Sequence, residues 1–464
     1  MHSRRDQVEA YSFANNRLRS ALVRGEPDAP RAPLRRTPIG LIIGAVLALL
    51  GIGGVALLAL IKPGSTPRWR QSGVLIIEKQ TGIRYVYDGG QLHPVFNYAS
   101  ARLLLPEDFD TAAVSASTLA SVPRGNRIGI EGAPEILPGT AAGGRSWLVC
   151  APPATAVDGQ VTPQVTVLLD PEPPPQDAPA AVALVHGPDG TRFVVHGGVR
   201  MKVTADWVIP ALGYLEEQSV PVTGSWLDVL PAGPDLGALD VAGRGVPGPD
   251  LAGTATRVGQ ILVATEPGLP KRYFLVTSDG LVPVNQTVVA LVLGDPASRE
   301  VYLDGAYPVP IDPATLATAR LLTTPDWAER LPDLPRQVSA RADQVPCAQL
   351  RTDGDEVHYT LVTVPAPKAQ VPPVREPHTV ADARTAGGFS APAGGGALVR
   401  TLPAPGAAGI GLHLIVETGA RYPLADEEAA TALGFAPSGA APIPAALLTM
   451  LPTGPELRVL GGDR

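Results

Sequence analysis

Residues 193–233 read FVVHGGVRMKVTADWVIPALGYLEEQSVPVTGSWLDVLPAG. An apolar, β-branched run (Phe193-Val194-Val195) meets a Gly197-Gly198 pair, the composition of a tight hairpin turn. The chain returns through Lys202, enters Val208-Ile209-Pro210-Ala211-Leu212-Gly213, and leaves at Pro231-Ala232-Gly233. That order predicts a strand, a glycine turn, a returning strand, a short helix closed by a left-handed glycine cap, and a last strand. The segment is a small α+β module.

Three other segments carry the same punctuation. The first has Gly82, Tyr85-Val86-Tyr87, Gly89-Gly90, Pro94, Ala99, Leu103 and a Pro123-Arg124-Gly125 exit. Another has Tyr273-Phe274-Leu275-Val276, Asp279-Gly280, Pro283, Val289-Ala290-Leu291-Val292-Leu293-Gly294 and Asp312-Pro313-Ala314. The last has Leu414-Ile415-Val416, Gly419, Tyr422-Pro423, Ala429-Ala430-Thr431-Ala432-Leu433-Gly434-Phe435 and Pro452-Thr453-Gly454. From Pro94, Lys202, Pro283 and Pro423 to Pro123, Pro231, Pro313 and Pro452 the spacings are 29, 29, 30 and 29 residues. The modules themselves start about 108, 81 and 140 residues apart, so this is no solenoid of fixed period. Residues 145–170 and 347–364 look like strands belonging to none of the modules, and Ala397–Thr401 resembles them. Pro/Ala/Gly-rich connectors lie at 171–180, 365–377 and 390–408.

Ahead of the modules, Ile39 to Ile61 reads IGLIIGAVLALLGIGGVALLALI, without a charged side chain. As a helix it would measure roughly 35 Å, enough for a ~30 Å hydrocarbon core. Its length and late start argue against a cleaved signal peptide and for a single anchoring span. Arg4, Arg5, Arg17, Arg19, Arg24, Arg31, Arg35 and Arg36 precede it, against Lys62, Arg68 and Arg70 just after it. The richer positive flank places the N-terminus in the cytoplasm and the modules outside. In the arm, Val8, Tyr11, Leu18 and Leu22 fall at helical spacing. They suit either docking on a partner or an amphipathic helix on anionic lipid.

Composition removes other classes. Glycine (50) and proline (51) exclude a helical bundle, while 45% hydrophobic residues exclude wholesale disorder. A net charge of −7 offers no basic face to nucleic acid. The two cysteines, Cys150 and Cys347, cannot make a zinc framework by themselves. In an oxidising exterior they most simply form one disulfide stapling a central domain of discontinuous segments, the alternative being two separate buried thiols.

Catalytic signatures are absent. No G-x-x-x-x-G-K-[ST] phosphate loop, G-x-S-x-G elbow or H-E-x-x-H motif occurs. Gly187-Pro188-Asp189-Gly190-Thr191-Arg192 reads as a hairpin turn. His186 and His196 flank it and could approach each other across the hairpin, but two imidazoles alone are weak metal ligands. Asp353, Asp355 and Glu356 resemble a fragment of a calcium loop and read better as a solvated turn. No catalytic, cofactor-binding or metal residue is expected, and no cofactor.

RRDQVEAYSFANNRLRSALVRGEPDAPRAPLRR, followed directly by one apolar span, resembles the N-terminus of the EccB family of type VII (ESX) secretion systems of actinobacteria. The paired cysteines and four modules extend the resemblance over essentially the whole chain. It implies a β-rich α+β fold: one N-terminal transmembrane helix, then an elongated periplasmic region of four modules around a disulfide-stapled central β domain. It implies that Cys150 and Cys347 match the family disulfide, and that residues around 4–24 match the arm contacting EccC and EccD. Its further implications are an inner-membrane complex with EccC, EccD, EccE and a mycosin protease, six EccB-like subunits in a ring, and modules resembling a cell-wall-binding fold. ATPase activity has been attributed to the family, which the motifs do not support.

The division expected begins with a cytoplasmic arm (1–38), a transmembrane helix (39–61) and module 1 (62–140). The first stretch of the central domain (141–180) follows, then module 2 (181–250) and module 3 (251–335). The second stretch of the central domain with linkers (336–400) and module 4 (401–464) complete it. The function expected is a non-catalytic scaffold in the inner membrane, its Ala- and Leu-rich module faces buried between subunits. The alternatives are an ATPase or a membrane-anchored cell-wall-binding protein.

Overall fold

The computed structural model describes residues 4–25, 37–61, 68–105, 109–139, 146–155, 161–171, 181–302, 305–335, 343–354, 356–371, 373, 376–404 and 407–460. It separates into two units, Met1–Gln71 and Ser72–Arg464.

The first unit holds α1 (Arg4–Arg24) and α2 (Thr37–Ile61). Val8, Tyr11, Leu18 and Leu22 of α1 are exposed. The stretch expected to span a membrane is helical. Side chains of α2 are described over 40–52, where every residue is exposed, and that stretch is shorter than the roughly 20 residues a crossing needs. Among the described residues, no helix is long and apolar enough to cross a membrane.

The second unit begins with β1 (Val74–Glu78), β2 (Arg84–Asp88), β3 (Gln91–Pro94), α3 (Tyr98–Leu104), β4 (Asp110–Val114) and α4 (Ala116–Leu119). Then come β5 (Ser146–Cys150), the ribbon β6 (Pro153–Thr155) and β7 (Val161–Pro163), and β8 (Thr166–Leu169). The second module has β9 (Val182–His186), β10 (Arg192–His196), β11 (Val199–Lys202), α5 (Val208–Ala211), β12 (Val220–Pro221) and α6 (Gly224–Val229). The third has β13 (Ile261–Ala264), β14 (Arg272–Val276), β15 (Leu281–Val284), α7 (Gln286–Gly294), β16 (Val309–Ile311), α8 (Pro313–Thr318) and α9 (Asp326–Glu329). After β17 (Gln344–Asp353), β18 (Glu356–Pro365), α10 (Ala366–Ala369) and β19 (Gly388–Ser390), the last module has β20 (Ala397–Leu402), β21 (Ile410–Ile415), β22 (Arg421–Leu424), α11 (Glu427–Ala432), β23 (Ala441–Pro444) and α12 (Ala445–Leu448).

All four module sheets have one topology: β3-β2-β1-β4, β11-β10-β9-β12, β15-β14-β13-β16 and β22-β21-β20-β23. The first strand of each lies inside the sheet, antiparallel to the second and parallel to the last. Ala397–Thr401, read from sequence as a strand outside the modules, is therefore the inner strand of the fourth sheet. The segments at 145–170 and 347–364 meet in a five-stranded sheet, β18-β17-β5-β8-β19.

The exit segments cover each sheet's outer edge, where a bare strand would invite pairing. Leu92 N–H donates to the Pro123 carbonyl at 2.9 Å and Gly125 N–H to Leu92 at 3.0 Å. The same pair recurs as Arg200–Pro231 and Gly233–Arg200, and as Arg421–Pro452 and Gly454–Arg421. In the third module the partner of Leu281 is the Arg320 carbonyl, not Pro313. Pro313 instead opens α8, where its missing N–H costs nothing. The 30-residue spacing read for that copy is thus coincidental, and its exit comes later, after α8. One rung on, Ile128, Leu236 and Leu457 donate N–H to the carbonyls of Pro94, Lys202 and Pro423. The corresponding position in the third copy is Pro325, which has no N–H, and the Thr324 hydroxyl reaches the Pro283 carbonyl at 3.3 Å.

The expected glycine caps hold at Gly213 and Gly434, with φ of 84° and 94°. There Tyr214 and Phe435 N–H close back to Ile209 and Ala430, a Schellman ending. Gly294 is different. It lies within α7, and a Cβ there would overlap Ala211 Cβ of α5, so this glycine serves close helix packing.

Shared cores join the modules in an order unlike the sequence. One core holds Ala99 and Leu103 of the first module with Ala429, Ala430 and Leu433 of the fourth. Another holds Val208 and Ile209 of the second with Val288 and Leu291 of the third. The largest joins the second and fourth modules to the central sheet. The Ala- and Leu-rich faces expected between subunits are therefore buried between modules of one chain. Their small side chains let the helices approach closely enough to share a core.

Candidate functional site

The described residues bring the chain's distant regions together at the central sheet. Cys150 and Cys347 face each other across β5 and β17 in direct register and form a disulfide, with Cα atoms 4.0 Å apart. It closes a sequence separation of 197 residues that contains the second and third modules. Loop-closure entropy gives such a staple about 5 kcal/mol at most.

The two inner modules, the second and the fourth, seat their hairpin turns on this sheet. A Cβ on Gly198 would overlap the Tyr359 carbonyl of β18, and one on Gly419 would overlap the Phe389 ring of β19. Trp226 of α6 is fully buried and donates its indole N–H to the Val149 carbonyl at 2.9 Å. A cleft of about 380 Å³ lies where the two modules meet the β17–β18 hairpin, between Asp228, Tyr359, Pro403 and Pro444. Its carboxylates are Asp228, paired with Arg200 at 3.4 Å, and Glu356, 3.9 Å from His358. Burial pushes the Tyr359 hydroxyl above its ordinary pKa, so it stays a neutral phenol. The cleft is a junction where the second and fourth modules pack on the β17–β18 hairpin.

The sequence candidates for chemistry stand apart. Gly187–Arg192 is the β9–β10 turn: Gly187 N–H bonds the Thr191 carbonyl at 2.9 Å, and Asp189 accepts from Thr191. Those bonds lower the Asp189 pKa, the Thr191 hydroxyl contributing most. The approach imagined for His186 and His196 does not occur. His186 pairs with Arg192 and His196 with Val182, putting them at opposite ends of the hairpin, roughly 13 Å apart along the strand. Each ring has its own partner, Ser219 Oγ at 2.9 Å and the Ala181 carbonyl at 2.8 Å. Asp353 and Glu356 flank the β17–β18 turn, and Asp355 lies outside the described residues. Among the described residues, no group of three metal-ligating side chains gathers.

Sequence reasoning missed the outer joints. In one, Arg244 donates to Asp295 at 2.7 Å and to the Leu239 carbonyl at 2.6 Å, both ionic side chains being largely buried. Tyr214 donates to the Pro335 carbonyl at 2.5 Å, and burial pushes its hydroxyl up to about 12. In the other, Arg102 Nε donates to the Ala432 carbonyl at 2.9 Å. No local pattern marks these partners, which lie 51, 121 and 330 residues apart.

The chain is similar to ESX-3 secretion system ATPase EccB3 of Mycolicibacterium smegmatis, 29% identical over 98% of this chain and 89% of that protein. ESX-5 secretion system ATPase EccB5 of Mycobacterium marinum is 27% identical over 98% and 92%. Among solved structures, a chain of the intact ESX-5 inner membrane complex superposes with TM-score 0.65 at 24% identity, covering 100% of this chain and 95% of that one. The EccB3 dimer of the ESX-3 core complex gives 0.65 at 25% identity, covering 83% and 98%. The family described as "Type VII secretion system ESX-1, transport TM domain B" matches residues 1–459. With that match running the length of the arm, the apolar helix and all four modules, the chain belongs to the EccB family.

Proposed function

We propose that this protein is a non-catalytic structural subunit of a type VII secretion complex in the inner membrane. One observation carries the reading: of four sheets with identical topology, two share an apolar core with a disulfide-closed central sheet, and each of the other two shares a core with one of those. Such a body transmits load and presents surfaces. The likeness to the EccB3 chain of an ESX-3 core complex supports the same role. In this reading α2 crosses the membrane once, with residues 1–38 cytoplasmic and 62–464 periplasmic as four modules around a central domain. Its partners are EccC-, EccD- and EccE-type subunits, a mycosin protease and further copies of itself in a six-fold ring.

Affinity purification of the full chain from gently solubilised membranes tests this. An FtsK-like motor and a multi-span EccD-type protein should co-purify, and protease added to spheroplasts should digest the modules while sparing the arginine-rich arm. Recovery of the chain alone, or protection of the modules, overturns the proposal.

The relatives' names favour a second reading as an ATPase. Hydrolysis by a preparation free of the cytoplasmic motor would establish it; a rate no higher than the buffer blank removes it. Cell-wall binding is supported less well. Sugar rings stack on exposed aromatics, and among the described residues of the second unit the strongly exposed large ones are Tyr307 and Trp327, both in the third module. A peptidoglycan pull-down recovering nothing would exclude it.

A further inference from the structure

The exit loops are equivalent by their backbone bonds, so their side chains can be compared position by position. The second copy reads Pro231-Ala232-Gly233-Pro234-Asp235-Leu236 and the fourth Pro452-Thr453-Gly454-Pro455-Glu456-Leu457. The first reads Pro123-Arg124-Gly125-Asn126-Arg127-Ile128. Where two copies carry a carboxylate, the first carries a guanidinium, and it adds another at Arg124.

Both arginines are exposed, yet both are positioned. Arg124 lies 4.5 Å from the Tyr85 ring centroid and Arg127 5.3 Å from that of Phe96, within cation–π range. The loop is pinned to β3 by three backbone bonds, and His93 Nδ1 donates to the Asn126 carbonyl at 3.0 Å. Gly125 has no room for a side chain, because a Cβ would overlap the His93 ring. Arg84 is already paired with Glu135, whereas among the described residues neither Arg124 nor Arg127 has a carboxylate partner. A stacked guanidinium keeps its N–H groups for oxyanions and binds phosphate well. This module is also the first to follow the apolar helix in sequence, with 12 residues between Ile61 and Val74.

We infer that the exit loop of the first module is an anionic-phospholipid contact, Arg124 and Arg127 engaging headgroup phosphates at the bilayer surface. The inference rests on the membrane reading proposed above. Its test uses the full chain in nanodiscs of phosphatidylcholine alone or with 30% phosphatidylglycerol, following amide exchange over 124–128. Phosphatidylglycerol should slow exchange at least three-fold, 20 mM inorganic phosphate over phosphatidylcholine should not, and the slowing should vanish in R124Q/R127Q. Arg127→Glu, which copies the charge that Glu456 carries on the equivalent loop, should also abolish it and guards against a loop that merely misfolds. Equal exchange in both lipids, slowing by free phosphate alone, or slowing that survives in both variants overturns the inference. A chain retained in nanodiscs with a lipid-insensitive loop sinks this contact alone, whereas a chain that does not insert sinks it together with the membrane anchor.

Discussion

The second and fourth modules share their topology with the first and third, but differ in where their turns lie. Gly198 and Gly419 are pressed against the central sheet with no space for a methyl group, whereas Gly89 and Gly90 face open space. The inner turns are joints; at the first module's turn an added methyl group would meet no atom within 4 Å. One hairpin signal therefore performs two tasks, and what separates them is the neighbour that folding brings up.

That contrast can be broken by substitution, using urea unfolding of the full chain. Gly198→Ala should have the largest effect, about 4 kcal/mol, since it combines left-handed backbone strain with overlap against a backbone carbonyl that cannot rotate away. A loss below about 1 kcal/mol would mean that the joint is loose. Arg244→Ala should cost about 3 kcal/mol by leaving Asp295 buried without its counter-charge. Double substitution of Arg244 and Asp295 to apolar residues should recover some of that loss. For Gly294→Ala we expect about 2 kcal/mol, with the third module melting ahead of the rest as α5 and α7 are forced apart. Coincident melting of both modules would show that the outer joint tolerates the shift.

Gly90→Ala should cost only about 1 kcal/mol, because the strain is conformational and nothing is displaced. The last effect is one of pH and is absent at neutrality. Burial pushes His413 of the fourth module down to about 4, with Arg421 adding to the effect. The unfolded chain then binds a proton that the folded chain refuses between about pH 6.5 and 4, so this contribution to stability is lost as pH falls through that window. His413→Gln should flatten the melting temperature there; an unchanged pH profile would place the titration elsewhere.

The repeating unit is written in residues that lie close together along the chain. Turn glycines, β-branched runs and helix-capping glycines act within a few positions, and their physics survives in any context. The apolar stretch before Ile61 and the absence of phosphate-binding or nucleophile motifs were equally local. The pairing of Cys150 with Cys347 was legible because two cysteines offer one simple intramolecular bond. Three-dimensional packing was needed to settle which modules share a core, which turns became joints, and that the Ala-rich helix faces close against sister modules. Those outcomes depend on partners as far apart as Arg102 and Ala432, and on Gly294 sitting opposite Ala211. Proline in the third copy shows the same limit. Pro313 has the right spacing, but its missing N–H and fixed φ suit a helix start, and the real exit is recognised by its bond to Leu281.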